Sequence, residues 1–135
     1  MLNIFNIEKQ ANKRVQRFLL HKSTEENIDA VKARLVINIT VGKVSVHLYE
    51  QHKYIKTLSL KSIAEFFGKD YDESKSSSIY DYLVKLAKDQ QIELSKLNVV
   101  ICETKNELGA HLYEETKYRK KISTLDLLTH FYLNK

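Results

Sequence analysis

The chain has 135 residues, 43% hydrophobic and 29% charged, which is enough for one packed core without disulfides or metal. No apolar run approaches the roughly 20 residues that span a bilayer, and the start, MLNIFNIEKQ, lacks the basic-then-apolar pattern of a secretory leader. The single cysteine, Cys102, excludes an internal disulfide and fits a reducing cytoplasm, while the net charge of +5 is a mild basic excess.

In chain order, Ile4, Ile7, Ala11, Val15, Phe18 and Leu19 recur at helical spacing and predict a helix over about 4–22. Ser23-x-x-Glu26 has the form of a capping box for a further short helix. Residues 35–41 and 43–50 read as strands joined across Val41-Gly42. In the second of these, Val44, Val46 and Leu48 face one way and Ser45, His47 and Tyr49 the other. Residues 53–59 read as a third strand, and 60–67 as a short helix stopped by Gly68. The same order follows again: a helix over 76–90, strands over 97–104, 108–114 and 117–123, and a helix over 124–133.

The recurrence is visible residue by residue. Moved by 64 positions, His47-Leu48-Tyr49-Glu50 falls on His111-Leu112-Tyr113-Glu114, and Lys53-Tyr54, Lys56, Ser59 and Phe67 fall on identical residues. Nine of the 21 positions from 47 to 67 are identical without a gap, far above what composition gives by chance. Gly42 falls on Asn106, and both residue types tolerate the positive φ of a tight hairpin. The expected fold is therefore α+β, a tandem internal duplication of a helix–three-strand meander–helix unit (αβββα twice, about 4–67 and 68–132). Residues 1–135 would form one compact domain with pseudo-twofold symmetry, its antiparallel meanders paired or merged under a helical layer.

The chemistry-bearing residues are few. The repeated His-Leu-Tyr-Glu resembles a metal or catalytic motif, but residues three apart on a strand leave opposite faces, so His47 and Glu50 cannot chelate one ion. Cys102 lies on an apolar strand and reads as a small buried filler. No Gly-rich phosphate loop, metal-ligand spacing or nucleophile elbow is present, so no enzyme activity, cofactor or metal is expected.

Two features suit an anionic polymer. Lys9, Lys13 and Arg17, with Arg14 beside them, make a basic stripe on the first helix. Lys53-Tyr54-Ile55-Lys56 and Lys117-Tyr118-Arg119-Lys120-Lys121 interleave rings that stack on bases with cations that neutralise phosphates. Residues 1–67 carry 11 Lys/Arg against 6 Asp/Glu, whereas 68–135 carry 11 against 11, which puts the basic excess on the first half.

Ser62-Ile63-Ala64-Glu65-Phe66-Phe67-Gly68 followed by Ser76–Leu83 resembles a DNA-binding helix-turn-helix, but the connection is too long and the second helix carries Asp81 and Asp89. The helix–three strands–helix order is also similar to that of double-stranded RNA-binding domains. Their Gly/Lys-rich start to the second helix is replaced by Leu60-Lys61-Ser62 and Thr124-Leu125-Asp126.

The expectation is a small cytoplasmic, non-enzymatic nucleic-acid-binding protein. It would use Lys9, Lys13, Arg14, Arg17, Lys53, Tyr54, Lys56, Lys117, Tyr118, Arg119, Lys120 and Lys121, with no membrane partner. The alternative is a protein–protein interaction module, an adaptor or inhibitor, acting through a symmetric sheet face or as a homodimer.

Overall fold

The computed structural model describes residues 4–61, 63, 79–104 and 107–130. Its elements run α1 (Ile4–Glu26), a 3-10 turn, β1 (Ala33–Thr40), β2 (Lys43–Glu50) and β3 (Lys53–Leu58). After these come α2 (Ile79–Gln90), a second 3-10 turn, β4 (Leu97–Thr104), β5 (Glu107–Glu114), β6 (Lys117–Ile122) and α3 (Thr124–Thr129). Leu60, Lys61 and Ile63 are helical. The proposed stop at Gly68, the matched turn residue Asn106, the start of the second helix at 76 and most of the helix-turn-helix segment lie outside the described residues.

The six strands form one antiparallel sheet in the order β3-β2-β1-β4-β5-β6, so the two meanders join edge to edge. The seam is the β1–β4 pairing, where Val36 stands opposite Val100, flanked by Leu35–Ile101 and Ile37–Val99. The strands of the second half begin and end 64 residues after those of the first: 33–40 and 97–104, 43–50 and 107–114, 53–58 and 117–122.

Local details repeat at the same interval. Both outer pairings carry a bulge, at Leu48/Tyr49 and at Leu112/Tyr113. Asn27 (φ 57) and Gln91 (φ 56) close α1 and α2 in the left-handed region, and the next residues, Ile28 and Ile92, donate back to Ser23 O at 3.0 Å and Ala87 O at 2.8 Å. This is the Schellman closure, with its apolar residue turned toward the core.

It also corrects the expected end of the first helix. Nothing stops the helix at Lys22, and Ser23 is not a cap but a buried helical residue whose Oγ donates to Leu19 O at 2.7 Å.

The core lies on one side of the sheet. Ala11, Val15, Phe18 and Leu19 of α1, Ile79, Leu83 and Ala87 of α2, and Leu127 and Leu128 of α3 share one cluster with Leu35, Ile37, Val46, Leu48, Val99, Ile101, Ala110 and Leu112. The helices reach across the seam: α1 packs on α3 and touches β5, and α2 touches β1 and β2. Glu8 of α1 fastens the start of α3, accepting from Thr124 N at 2.6 Å, Leu125 N at 3.3 Å and Ser123 Oγ at 2.7 Å. Each half therefore closes the other's core.

Candidate binding face of the sheet

Strand alternation sends the remaining residues to the opposite face, and the buried helix side chains cluster on the other side. Pairing register arranges this open face in three rows across the strands. Tyr54, Tyr49, Arg34, Cys102 and Gly109 form the first; Thr57, His47, Val36, Val100, His111 and Lys121 the second; Ser45, Asn38, Asn98, Tyr113 and Tyr118 the third.

The bulges shape the ends of these rows. Without one, Tyr54 and Thr57, three apart, would leave opposite faces. With Ile55 as the extra residue they share a face, and Tyr54 Oη and Thr57 Oγ1 lie 2.7 Å apart. Thr57 Oγ1 also lies 3.0 Å from His47 Nδ1. The outcome is a ring cluster in each half. Tyr54 meets Tyr49 edge-on at 5.7 Å and His47 at 6.1 Å; Tyr118 meets Tyr113 at 5.6 Å and His111 at 5.8 Å. Tyr54 and Tyr118 are each 51% exposed, so both rings offer a free surface. Burial holds the His47 imidazole below its ordinary pKa.

Between the clusters runs a groove of about 370 Å³, lined only by strand and turn residues: Arg34, Val36, Tyr49, Gln51 and His52, with Asn98, Val100, Tyr113, Glu115 and Thr116. Each of the first five lies 64 residues before one of the second five. Asn38 Nδ2 donates to Asn98 Oδ1 at 2.9 Å beside the seam, and Asn98 Nδ2 donates to Glu115 O at 3.2 Å. On the other side of Val36–Val100, Arg34 adjoins Cys102. Burial pushes that thiol's pKa up, and the nearby guanidinium partly offsets the rise.

The twelve residues expected to bind nucleic acid do not form one surface. Lys9, Lys13, Arg14 and Arg17 are exposed on α1, on the helical side of the sheet. Tyr54, Tyr118 and Lys121 are on the open face. Lys53 and Lys117 stand opposite Glu50 and Glu114, and Lys56 and Lys120 opposite Leu48 and Leu112, all toward the helices. Lys56 pairs with Glu26 at 3.3 Å. Arg119 bonds Glu114 at 2.8 Å and donates to Gln90 O at 2.9 Å, closing the end of α2. The same bulges that gather the rings turn Lys56 and Lys120 away from them and bring Lys121 to their side, while Lys53 and Lys117 face the helices by alternation alone.

In the repeated His-Leu-Tyr-Glu, His and Tyr share the open face, while Glu50 turns away and accepts from Asp29 N at 3.1 Å. Among the described residues no group of three His, Cys, Asp or Glu is placed to hold a metal, and no helix is long and apolar enough to cross a membrane.

Sequence reasoning passed over Arg34, Asn38 and Asn98. The signal was there: each is a polar residue alternating with Leu35, Ile37, Leu97 or Val99 on a strand otherwise apolar. Comparison with protein-family models, with curated proteins and with solved structures found no match to this chain.

Proposed function

We propose that the chain is a tandem duplication of an αβββα unit, and that it binds single-stranded nucleic acid on the open face of its sheet, without catalysis. The observation that carries this reading is the pair of ring clusters, His47-Tyr49-Tyr54 and His111-Tyr113-Tyr118, on a face with no helix over it among the described residues. Exposed rings on a sheet face stack on unpaired bases, each worth about 1–3 kcal/mol, and Tyr54 and Tyr118 are the half-exposed rings of the two clusters, whereas His111 is buried.

Charge supports the same partner. Arg34, Lys43 and Lys121 stand on the strands of this face, where register also places Glu107, whereas Glu50, Glu103 and Glu114 alternate to the helical side. An anionic chain is favoured there over a second copy of the same cationic face. The basic stripe on α1 is too far round the molecule to touch a ligand on the open face, and under this reading it is solvated surface.

Binding of a labelled single-stranded oligonucleotide across a salt series tests the proposal. Affinity is expected to fall steeply with salt, and Tyr54→Ala or Tyr118→Ala to weaken binding about tenfold each. Absence of binding near 50 mM salt overturns it.

One observation favours a protein partner instead. Leu20 on α1 and Val84 on α2, 64 residues apart, are both exposed, at 50% and 36%. A concentration-dependent dimer in sedimentation, lost in Leu20→Glu/Val84→Glu, would support that second reading.

A further inference from the structure

The groove between the ring clusters is symmetric in shape but not in charge. Val36 is matched by Val100 and Tyr49 by Tyr113, so floor and walls repeat. The other three pairs differ. The corner beside Tyr49 holds Arg34, Gln51 and His52, whereas the corner beside Tyr113 holds Asn98, Glu115 and Thr116. Both ends therefore carry an amide, Gln51 and Asn98, while a guanidinium stands at one end and a carboxylate at the other. The only described counter-charge in the lining is Glu115, at the end away from Arg34 in the row order above.

We infer that this groove holds one nucleotide of the bound strand in a fixed direction, with phosphate at Arg34 and the base edge at Asn98 and Glu115. The inference rests on the nucleic-acid reading above and adds what symmetry alone would forbid. Two ring clusters related by a twofold meet a nucleic-acid strand in opposite senses, so a symmetric face could not prefer 5′→3′ over 3′→5′. Arg34 breaks that tie, because a guanidinium binds phosphate and an amide at the matching position does not. Glu115, with the second lone pair of Asn98 Oδ1 that the bond from Asn38 leaves, suits the other end of a nucleotide, since carboxylate and amide oxygens accept from exocyclic amino groups such as cytosine N4. The volume, about 370 Å³, lies within the range of sites for single small ligands, roughly 300–1,000 Å³.

The test uses the full-length ¹⁵N-labelled protein and an oligodeoxycytidylate of eight residues carrying a nitroxide at its 5′ or its 3′ end. The expected result is that each label broadens the amide signals of one corner only: the 50–53 turn for one label, the 114–117 turn for the other. Arg34→Asn, which makes the two corners alike at this position, should abolish the distinction, weaken binding about tenfold and reduce the salt slope by about 0.7. Arg34→Lys should keep the direction. Equal broadening of both corners by either label in the wild-type protein overturns the inference while leaving the binding face intact. Failure of the oligonucleotide to bind at all overturns both readings together.

Discussion

Val36 and Val100 stand opposite one another at the middle of the β1–β4 pairing, and they are separated by the same 64 residues that separate the two His-Leu-Tyr-Glu segments. Under the proposed duplication, a residue paired with its own counterpart marks where a local twofold axis would cross the sheet. On the core side the neighbours of the axis then come in matched pairs, and their energetics should match as well.

Leu48 and Leu112 are such a pair, both fully buried on the helical side. Leu48→Ala and Leu112→Ala are each expected to cost about 2–5 kcal/mol, and to agree with one another more closely than two unrelated core sites do. Denaturant unfolding should remain a single transition in both variants, because α1 packs on α3 across the seam. Two separated transitions would show that the halves hold independent cores.

Glu8 joins the halves through polar contacts alone, taking the hydroxyl of Ser123 and the backbone N–H groups of Thr124 and Leu125. Glu8→Ala should cost about 1–3 kcal/mol, since it leaves buried or half-buried donors without their acceptor. Ser123→Ala, which removes one cap bond to Asp126 N as well, should cost about 1 kcal/mol. The double variant should lose less than the sum, as coupled neighbours do.

The hairpin at Val41-Gly42 was legible from the glycine alone, yet the structure shows that both central residues have positive φ, 51° and 73°. A β-branched residue is strained there, and Val41 is 95% exposed, so packing gives nothing in return. Val41→Asn should raise stability by about 0.5–1 kcal/mol, and Gly42→Ala should lower it. Thermal unfolding reads both.

The histidines give a signed pH dependence. Burial holds the folded-state pKa of His47 below 6.5; burial does the same for His130, with Asp126 opposing and Lys85 assisting. The unfolded chain therefore binds more protons once pH drops below about 6.5. Stability should be fully present above that pH, decline as pH falls toward the folded values, and level off below them. His47→Gln should shallow the decline. A slope of the opposite sign would contradict the half-buried placement of these rings.

At the alkaline end, Tyr82 is pushed up to about 12 by burial, then by Asp126 and Glu8. Its ring stacks on His130 at 4.4 Å. A spectrophotometric titration should show a late tyrosine ionisation from Tyr82. Stability should fall as pH rises from about 10. Tyr82→Phe should remove that late step.

How much of this was readable from residues alone divides along physical lines. The strands and their turns were legible because alternation and a fixed interval are local properties: Val44, Val46 and Leu48 face the core as their period requires. The joining of the meanders was not, because Val36 opposite Val100 is a long-range choice that no short window contains. The expected set of twelve was divided for two reasons: α1 lies on the far side of the sheet, and a bulge shifts the alternation of each outer strand. Strict alternation puts Tyr54 with Lys56, whereas the extra residue puts Tyr54 with Thr57 and turns Lys56 toward Glu26. A bulge inserts no recognisable residue type, so composition could not announce it.

The most direct measurement sets the two surfaces against each other. Affinity for a single-stranded oligonucleotide is compared in Tyr54→Ala/Tyr118→Ala, on the open face, and Lys13→Glu/Arg17→Glu, on α1. Binding lost in the tyrosine variant and kept within about threefold in the helix variant is the predicted result. Binding kept without the tyrosines and lost with the helix charges would contradict the account, and would move the site to the other side of the sheet.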